Sequence, residues 1–205
     1  MHFSAPPTTF SLNHYPEVTL IGPDHQLSLD SHKHSLLNIW NRIVLHLSTQ
    51  WDVPVNIVKE HVPKVVQQYS QVQIADGDTI SSALGYQGSE ANQQDATFFQ
   101  YELLVDKFAH HPCRQPEFEP ITFFGQLQHA LTVTIQPSPN LPDVDSTHGT
   151  TYIMLDVVPC KTKQDHYGFY EYSETSTEAP CIIDGTAVRA VVGRIKDGGK
   201  WVIVK

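Results

Sequence analysis

The chain of 205 residues has few cysteines: Cys113, Cys160 and Cys181, widely spaced and with no Cys-x-x-Cys. An odd, scattered set excludes a disulfide framework as the organising principle and fits a reducing compartment. Charge is also sparse, at 17% of residues, and the formal net charge of −9 argues against whole-molecule attraction to nucleic acid or anionic lipid. No apolar run approaches the ~20 residues needed to span a bilayer, and no charged-apolar-small leader opens the sequence. A soluble intracellular protein without membrane association is expected. No basic cluster offers a local signal for nuclear import, and there is neither an internal repeat nor a low-complexity tract.

What is present is strand signal. From Glu117 to Ile135 the sequence is rich in β-branched and aromatic residues and alternates over most of its length. Phe123, Gly125, Leu127, His129, Leu131, Val133 and Ile135 share one face. Phe124, Gln126, Gln128, Thr132 and Thr134 share the other. This is the period of a strand with one buried face, and Gly125 marks a bend or bulge in it. Further strands are expected over Thr97–Val105, Tyr152–Val158, Tyr167–Tyr172, Cys181–Ile183, Ala187–Ile195 and Trp201–Lys205. Asp197-Gly198-Gly199-Lys200 supplies the glycines of a tight hairpin turn.

The first half reads differently. Residues 1–30, with Pro6, Pro7, Pro16 and Pro23, are expected as an extended arm, with a short strand at Val18–Ile21. Residues 31–75 are expected to be helical. Leu36, Trp40, Ile43, Val44, Leu47 and Trp51 make one amphipathic stripe, capped by Asp30 or Ser31 and stopped before Pro54. Val62, Val65, Val66 and Tyr69 suggest a second helix with Pro63 in its first turn. Residues 76–95 are expected as a linker with a polar, glycine-containing loop over 84–95. Residues 96–205 are expected as the β domain. The resulting fold class is α+β: a small antiparallel barrel or sandwich of about six strands, with two N-terminal helices packed against it.

Five sets of residues carry candidate chemistry. Asp76 and Asp78 flank Gly77 and could hold Mg²⁺, but no third ligand lies near in sequence and a solvent turn, with short side chains bonding local backbone, explains them better. His110, His111 and Cys113 form the densest metal-type cluster, yet zinc wants four ligands and only one of the adjacent histidines could readily share a metal with Cys113. Cys181 has no neighbour in sequence that would lower its thiol pKa. The one locally basic stretch is the tail, where Arg189, Arg194, Lys196, Lys200 and Lys205 face only Asp197 over residues 185–205. With Trp201, that hairpin could contact single-stranded nucleic acid through phosphates and stacking, or its charges could simply guard an edge. Tyr152, Tyr167, Phe169, Tyr170, Tyr172 and Trp201 could instead line an aromatic pocket for a peptide or a methylated lysine. No catalytic residue, metal site or cofactor is expected.

Three blocks, Asp95–Asp106, Thr122–His129 and Ala190–Ile203, together with Gly77-Asp78-Thr79-Ile80, carry a family likeness. In content and order they resemble the C-terminal region of fungal transposon-encoded proteins of the Kyakuja–Dileera–Zisupton type, over roughly residues 60–205. The resemblance implies a compact domain similar to bromo-adjacent-homology or other SH3-like barrels, which binds partners and performs no chemistry. It further implies a nuclear, transposase-associated context, with a protein or chromatin partner. It does not extend to a nuclease core, whose clustered carboxylates hold two divalent metals. The chain's end directly after its last strand reads as the mark of a decayed or domesticated element. On this reading the contact residues are Arg189, Arg194, Lys196, Lys200, Trp201, Tyr170 and Tyr172.

Overall fold

The computed structural model describes residues 9–22, 25–29, 34–83, 95–111, 113–142, 144, 145, 147–173, 175 and 177–205, without the side chains of 34–37. The expected caps Asp30 and Ser31, the side chain of Leu36, Pro112 and the loop over 84–94 lie outside these. The described residues form two α-helices and fifteen strands, paired antiparallel throughout. The class is α+β, as expected, with far more strands than six and no closed barrel.

In chain order the strands are β1 (Thr9–Ser11), β2 (Val18–Ile21) and β3 (His25–Ser28). The helices α1 (His34–Trp51) and α2 (Val55–His61) follow, then β4 (Val65–Tyr69), β5 (Gln71–Ile74) and β6 (Thr79–Ser81). The second half holds β7 (Phe98–Asp106), β8 (Phe118–Ile135), β9 (Thr150–Pro159), β10 (Lys163–Gln164) and β11 (Tyr170–Tyr172). It ends with β12 (Cys181–Asp184), β13 (Val188–Val191), β14 (Gly193–Asp197) and β15 (Lys200–Val204).

The long strand read from the sequence is β8, and the central sheet is built on it. One edge of β8 pairs with β9, which pairs with β12. The other edge is shared: β7 takes Phe118–Gln126 and β4 takes Ala130–Thr132. Beyond them lie β13 on β7 and β3 on β4, so β3, β12 and β13 remain edges and the sheet stays open.

Between the stations of β7 and β4, the N–H of Leu127 donates to Thr97 O and its carbonyl accepts from the Ala83 N–H. There the β8–β9 register slips: Leu127 faces Val157 but His129 faces Asp156, which leaves Gln128 as an extra residue. A bulge of one residue reverses the side-chain phase. Phe123 and Leu127 therefore join Ala130 on one face, whereas Leu131, Val133 and Ile135 point to the opposite one. The single buried face expected over 123–135 is thus two half-faces of opposite sense. The bulge sits at Gln128, not at Gly125. Gly125 serves close approach: a Cβ there would come within 2.5 Å of Val157 Cγ1.

Three cores follow. On one face, the sheet β1-β2-β5-β6 packs Val18, Leu20, Val72 and Ile80 against Phe99, Leu127, Ile153 and Leu155. On the other face, α1 lays Ile39, Trp40, Ile43, Val44, Leu47 and Trp51 over Leu131, Val133, Tyr152 and Met154. Both helical tryptophans are core residues, as the amphipathic stripe requires. Beside the helices, on the same face, the small sheet β10-β11-β15-β14 packs Tyr172 and Ile203 on Phe98 and Phe124.

Helix α1 ends where Asp52 takes a positive φ of 53° and Pro54 heads α2. The second helix thus precedes its expected place. Residues 62–69 are its exit and strand β4, because Val66 and Tyr69 sit on opposite faces, one in the helix-side core and one in the other. A short apolar run with i and i+3 spacing fits either period, and pairing with β3 and β8 decides it. The described residues of the expected N-terminal arm are likewise ordered structure. Three strands lie within it, Leu20 is fully buried, and the hydroxyl of Tyr15 donates to Asp184 Oδ2 at 2.7 Å. The stretch expected as linker contributes β6, with Ile80 fully buried. The expected strand 187–195 is two: the Val192 N–H donates to Phe98 O, and the chain crosses there from the central sheet to the small one.

Candidate functional site: the small sheet and its groove

The basic hairpin is β14–β15, closed by Gly198 (φ 51°) and Gly199 (φ 87°). Its expected contact residues do gather, with one exception: Arg189 lies on β13 of the central sheet. Their cations, however, are engaged by the chain itself. Arg194 has only 16% of its side chain exposed. Its guanidinium lies 3.4 Å from the Phe98 ring centroid and 4.5 Å from that of Trp201. Nη1 donates to the Tyr172 hydroxyl at 2.6 Å and Nη2 to Asp95 Oδ2 at 2.7 Å. Of the residues expected to line an aromatic pocket, Trp201 and Tyr172 are thus engaged by the protein's own arginine. Lys200 pairs with Glu171 at 2.6 Å, and Arg189 with Glu102 at 2.8 Å while donating to the carbonyls of Thr186 and Val188. Lys196 faces Trp201 across the hairpin, its ammonium 5.4 Å from the ring. Tyr172 is buried, which pushes its hydroxyl up to about 12 even though Arg194 pulls the other way.

The other candidates separate. Asp76 and Asp78 sit at the exposed β5–β6 turn, where the Asp78 N–H donates to Asp76 Oδ1 and Gly77 takes a φ of 94°. His111 packs its ring on Phe108. Among the described residues no group of three or more His, Cys, Asp or Glu is arranged to hold a metal. Burial raises the thiols of Cys160 and Cys181 to about 11, so neither supplies thiolate at neutral pH. Tyr152 belongs to the helix-side core and Tyr167 to an exposed turn, both away from any common pocket with Tyr172.

Where the small sheet meets the β7–β8 ribbon, a groove of about 470 Å³ opens, lined by Gln100, Thr122, Phe124, Gly168, Phe169, Tyr170, Ile203, Val204 and the basic Lys205. Its walls follow from the topology. Residues of even number on the first half of β8 and on β7 face the small sheet. Of these, Phe98 and Phe124 are buried against Tyr172 and Ile203, whereas Leu104 and Phe118 farther along the ribbon are exposed. The Tyr170 ring is tilted against that of Phe124 with 4.8 Å between centroids, and Phe169 is 55% exposed at the rim. No family model, curated protein or solved structure matches the chain. These comparisons do not bear on the expected likeness to transposon-encoded proteins. Of the groove, the sequence marked Phe169 and Tyr170 through their aromatic cluster. Gln100, Thr122 and Ile203 carried no signal beyond their strand positions.

A second polar cluster lies under α1. Arg42 Nη2 donates to the buried Asp156 at 2.6 Å. Asp156 is paired in register with His129, whose Nδ1 is buried without a partner. Burial raises the Asp156 carboxyl and lowers His129 to about 4, with the Arg42 charge adding to the latter. Among the described residues no helix is long and apolar enough to cross a membrane.

Proposed function

We propose that the protein is a non-enzymatic interaction domain whose groove between the small sheet and the β7–β8 ribbon receives a segment of a partner protein. The groove carries this reading. It is concave, of the size that holds a ligand, and mostly apolar with a few polar groups. The layered sheets are read as a sandwich that presents it. The sequence likeness supplies a context, a transposase-associated module acting on a protein or chromatin partner in the nucleus. The acid balance of the chain fits a protein partner better than a phosphate backbone.

The competing reading, nucleic-acid contact through the C-terminal hairpin, draws on Lys196 and Trp201, which keep a cation beside an aromatic ring at the surface. It is weakened by the ion pairs that occupy Arg189, Arg194 and Lys200. Titration with fluorescent single- and double-stranded DNA and RNA at low and moderate salt separates the two. The interaction reading expects no micromolar binding at low salt. Binding that fades with salt and is lost in Lys196→Glu would replace it with the nucleic-acid reading. A metal-dependent hydrolase at Asp76 and Asp78 or at His110, His111 and Cys113 would require stoichiometric metal in the purified protein.

A further inference from the structure

Gln100 lines the groove yet is only 6% exposed, and its Oε1 is buried with no hydrogen-bond partner. An unsatisfied buried acceptor is costly, so a groove that holds one is complementary to a ligand carrying a donor. The surface beyond it is linear. Gln100, Glu102 and Leu104 on β7 share a face with Phe124, Thr122, Pro120 and Phe118 on β8, their direct or near partners in register. Leu104 is 71% exposed and Phe118 60%, although both are large and apolar. Glu102 is paired with Arg189 at 2.8 Å. From Gln100 to Asp106 this track, apolar at Leu104, Pro120 and Phe118, runs about 20 Å at the rise of a strand. A compact small molecule would fill the groove and leave the track bare.

We propose that groove and track together bind an extended apolar peptide segment, and that the Gln100 carboxamide pairs with one of its main-chain peptide groups. This rests on the interaction-domain reading above. A residue of an extended peptide offers the N–H that Oε1 lacks, and the carbonyl of that same residue, on the same side of the strand, can accept from the carboxamide. The last torsion of a glutamine is broad, so the carboxamide turns toward an occupant at little cost. Alternate side chains of an extended peptide then fall on the groove and on the track, at the two-residue repeat of strands. Phe169 and Tyr170 wall the groove end, and Leu104 and Phe118 meet the next apolar positions.

The test is selection of a random heptapeptide phage library on the immobilised full-length chain, followed by synthesis of the selected peptide. Each of its amides is then methylated in turn. The proposal expects apolar residues at alternating positions. It expects one N-methylation that weakens binding about tenfold or more. Gln100→Leu should weaken the parent peptide by a similar factor and the sensitive N-methyl peptide by nothing further. That non-additivity is not expected of a merely structural role, and the N-methyl scan on the wild-type chain stands even should the variant fold poorly. Binding that survives every N-methylation but is lost in Phe169→Ala would overturn the main-chain contact and leave the interaction domain intact. Binding of N-acetyltryptophanamide as tight as that of the heptapeptide would overturn the extended track. No selected peptide, or peptides indifferent to Phe169→Ala, would overturn both this proposal and the groove as the partner site.

Discussion

At the scale of single residues, the side chains with the most chemical promise in the sequence are occupied in holding the protein together. Arg194 joins β14 to Asp95, Phe98, Tyr172 and Trp201 at once. Hydrogen bonds to a charged group contribute roughly 1.5–3 kcal/mol each, and removing the arginine leaves the Tyr172 hydroxyl in a poorly solvated place. Arg194→Ala should therefore lower the unfolding free energy by about 2–3 kcal/mol in urea denaturation. A loss below about 0.5 kcal/mol would mean that the guanidinium is a surface group after all. His129 gives a pH test. Its folded pKa of about 4 lies below the ordinary 6.5, because burial and Arg42 disfavour the imidazolium. Between those values the unfolded chain binds more protons, so stability is full above about 6.5 and is lost as pH falls toward 4. The loss from this group approaches roughly 3 kcal/mol at 1.36 kcal/mol per pKa unit. Asp156, raised by burial, works in the opposite sense as the pH falls. The comparison that isolates the histidine is wild type against His129→Leu by urea unfolding from pH 7 to 4. Parallel profiles would show that His129 is charged or solvated in the folded state.

At the scale of elements, the sequence was informative wherever one period ran unbroken. Helix α1 and strands β7, β8 and β9 lie within a few residues of where alternation or the helical stripe puts them. Of the short pieces, Val18–Ile21 and Cys181–Ile183 were legible from their apolar content, but others were not, because three or four residues cannot display a period. Strands β1, β3, β5 and β6 exist through their pairings with neighbours, not through local pattern. The groove was half legible for the same reason: its aromatics stood out, but Gln100 and Ile203 acquire meaning only when β7 and β15 meet. The bulge at Gln128 could not be read either, since odd positions 127, 129 and 131 look like one uninterrupted face. Its consequence is sharp. Deleting Gln128 would close the slip and turn Leu131, Val133 and Ile135 away from α1, bringing Ala130, Thr132 and Thr134 to the helix instead. Near-ultraviolet circular dichroism and a thermal melt should show no cooperative native state for the deletion, whereas Gln128→Thr should remain within about 1 kcal/mol of wild type. A deletion variant that melts normally would show that the two-faced character of β8 does not depend on the extra residue.

At the scale of the whole molecule, the division into arm, helical segment, linker and β domain competes with the way the cores are assembled. The core on one face of the central sheet takes Tyr15, Val18 and Leu20 from the first thirty residues and Tyr69, Val72 and Ile80 from the next fifty-odd. It closes them on Phe99, Tyr101, Leu127 and Leu155 from the second half. The opposite core needs α1 over Leu131, Val133 and Met154. Strand β4 also covers the edge of β8 at Ala130–Thr132 that β7 does not reach. A chain limited to residues 96–205 would thus expose both faces of β8 and β9, an apolar area beyond what a soluble monomer tolerates, and leave an open edge ready for wrong pairing. Expressed alone, that fragment should be aggregated or lack a cooperative melt, and supplying residues 1–95 in trans should restore a dispersed amide spectrum. Should 96–205 by itself give such a spectrum and a sharp transition, the N-terminal half would be an accessory to a β domain that is already complete. The small sheet and its groove would then have been carried by the second half alone. Failure of the fragment, with rescue in trans, would instead tie the groove to the whole chain: Phe98, Gln100 and Phe124 are positioned by a sheet whose other face and far edge are built from the first eighty residues.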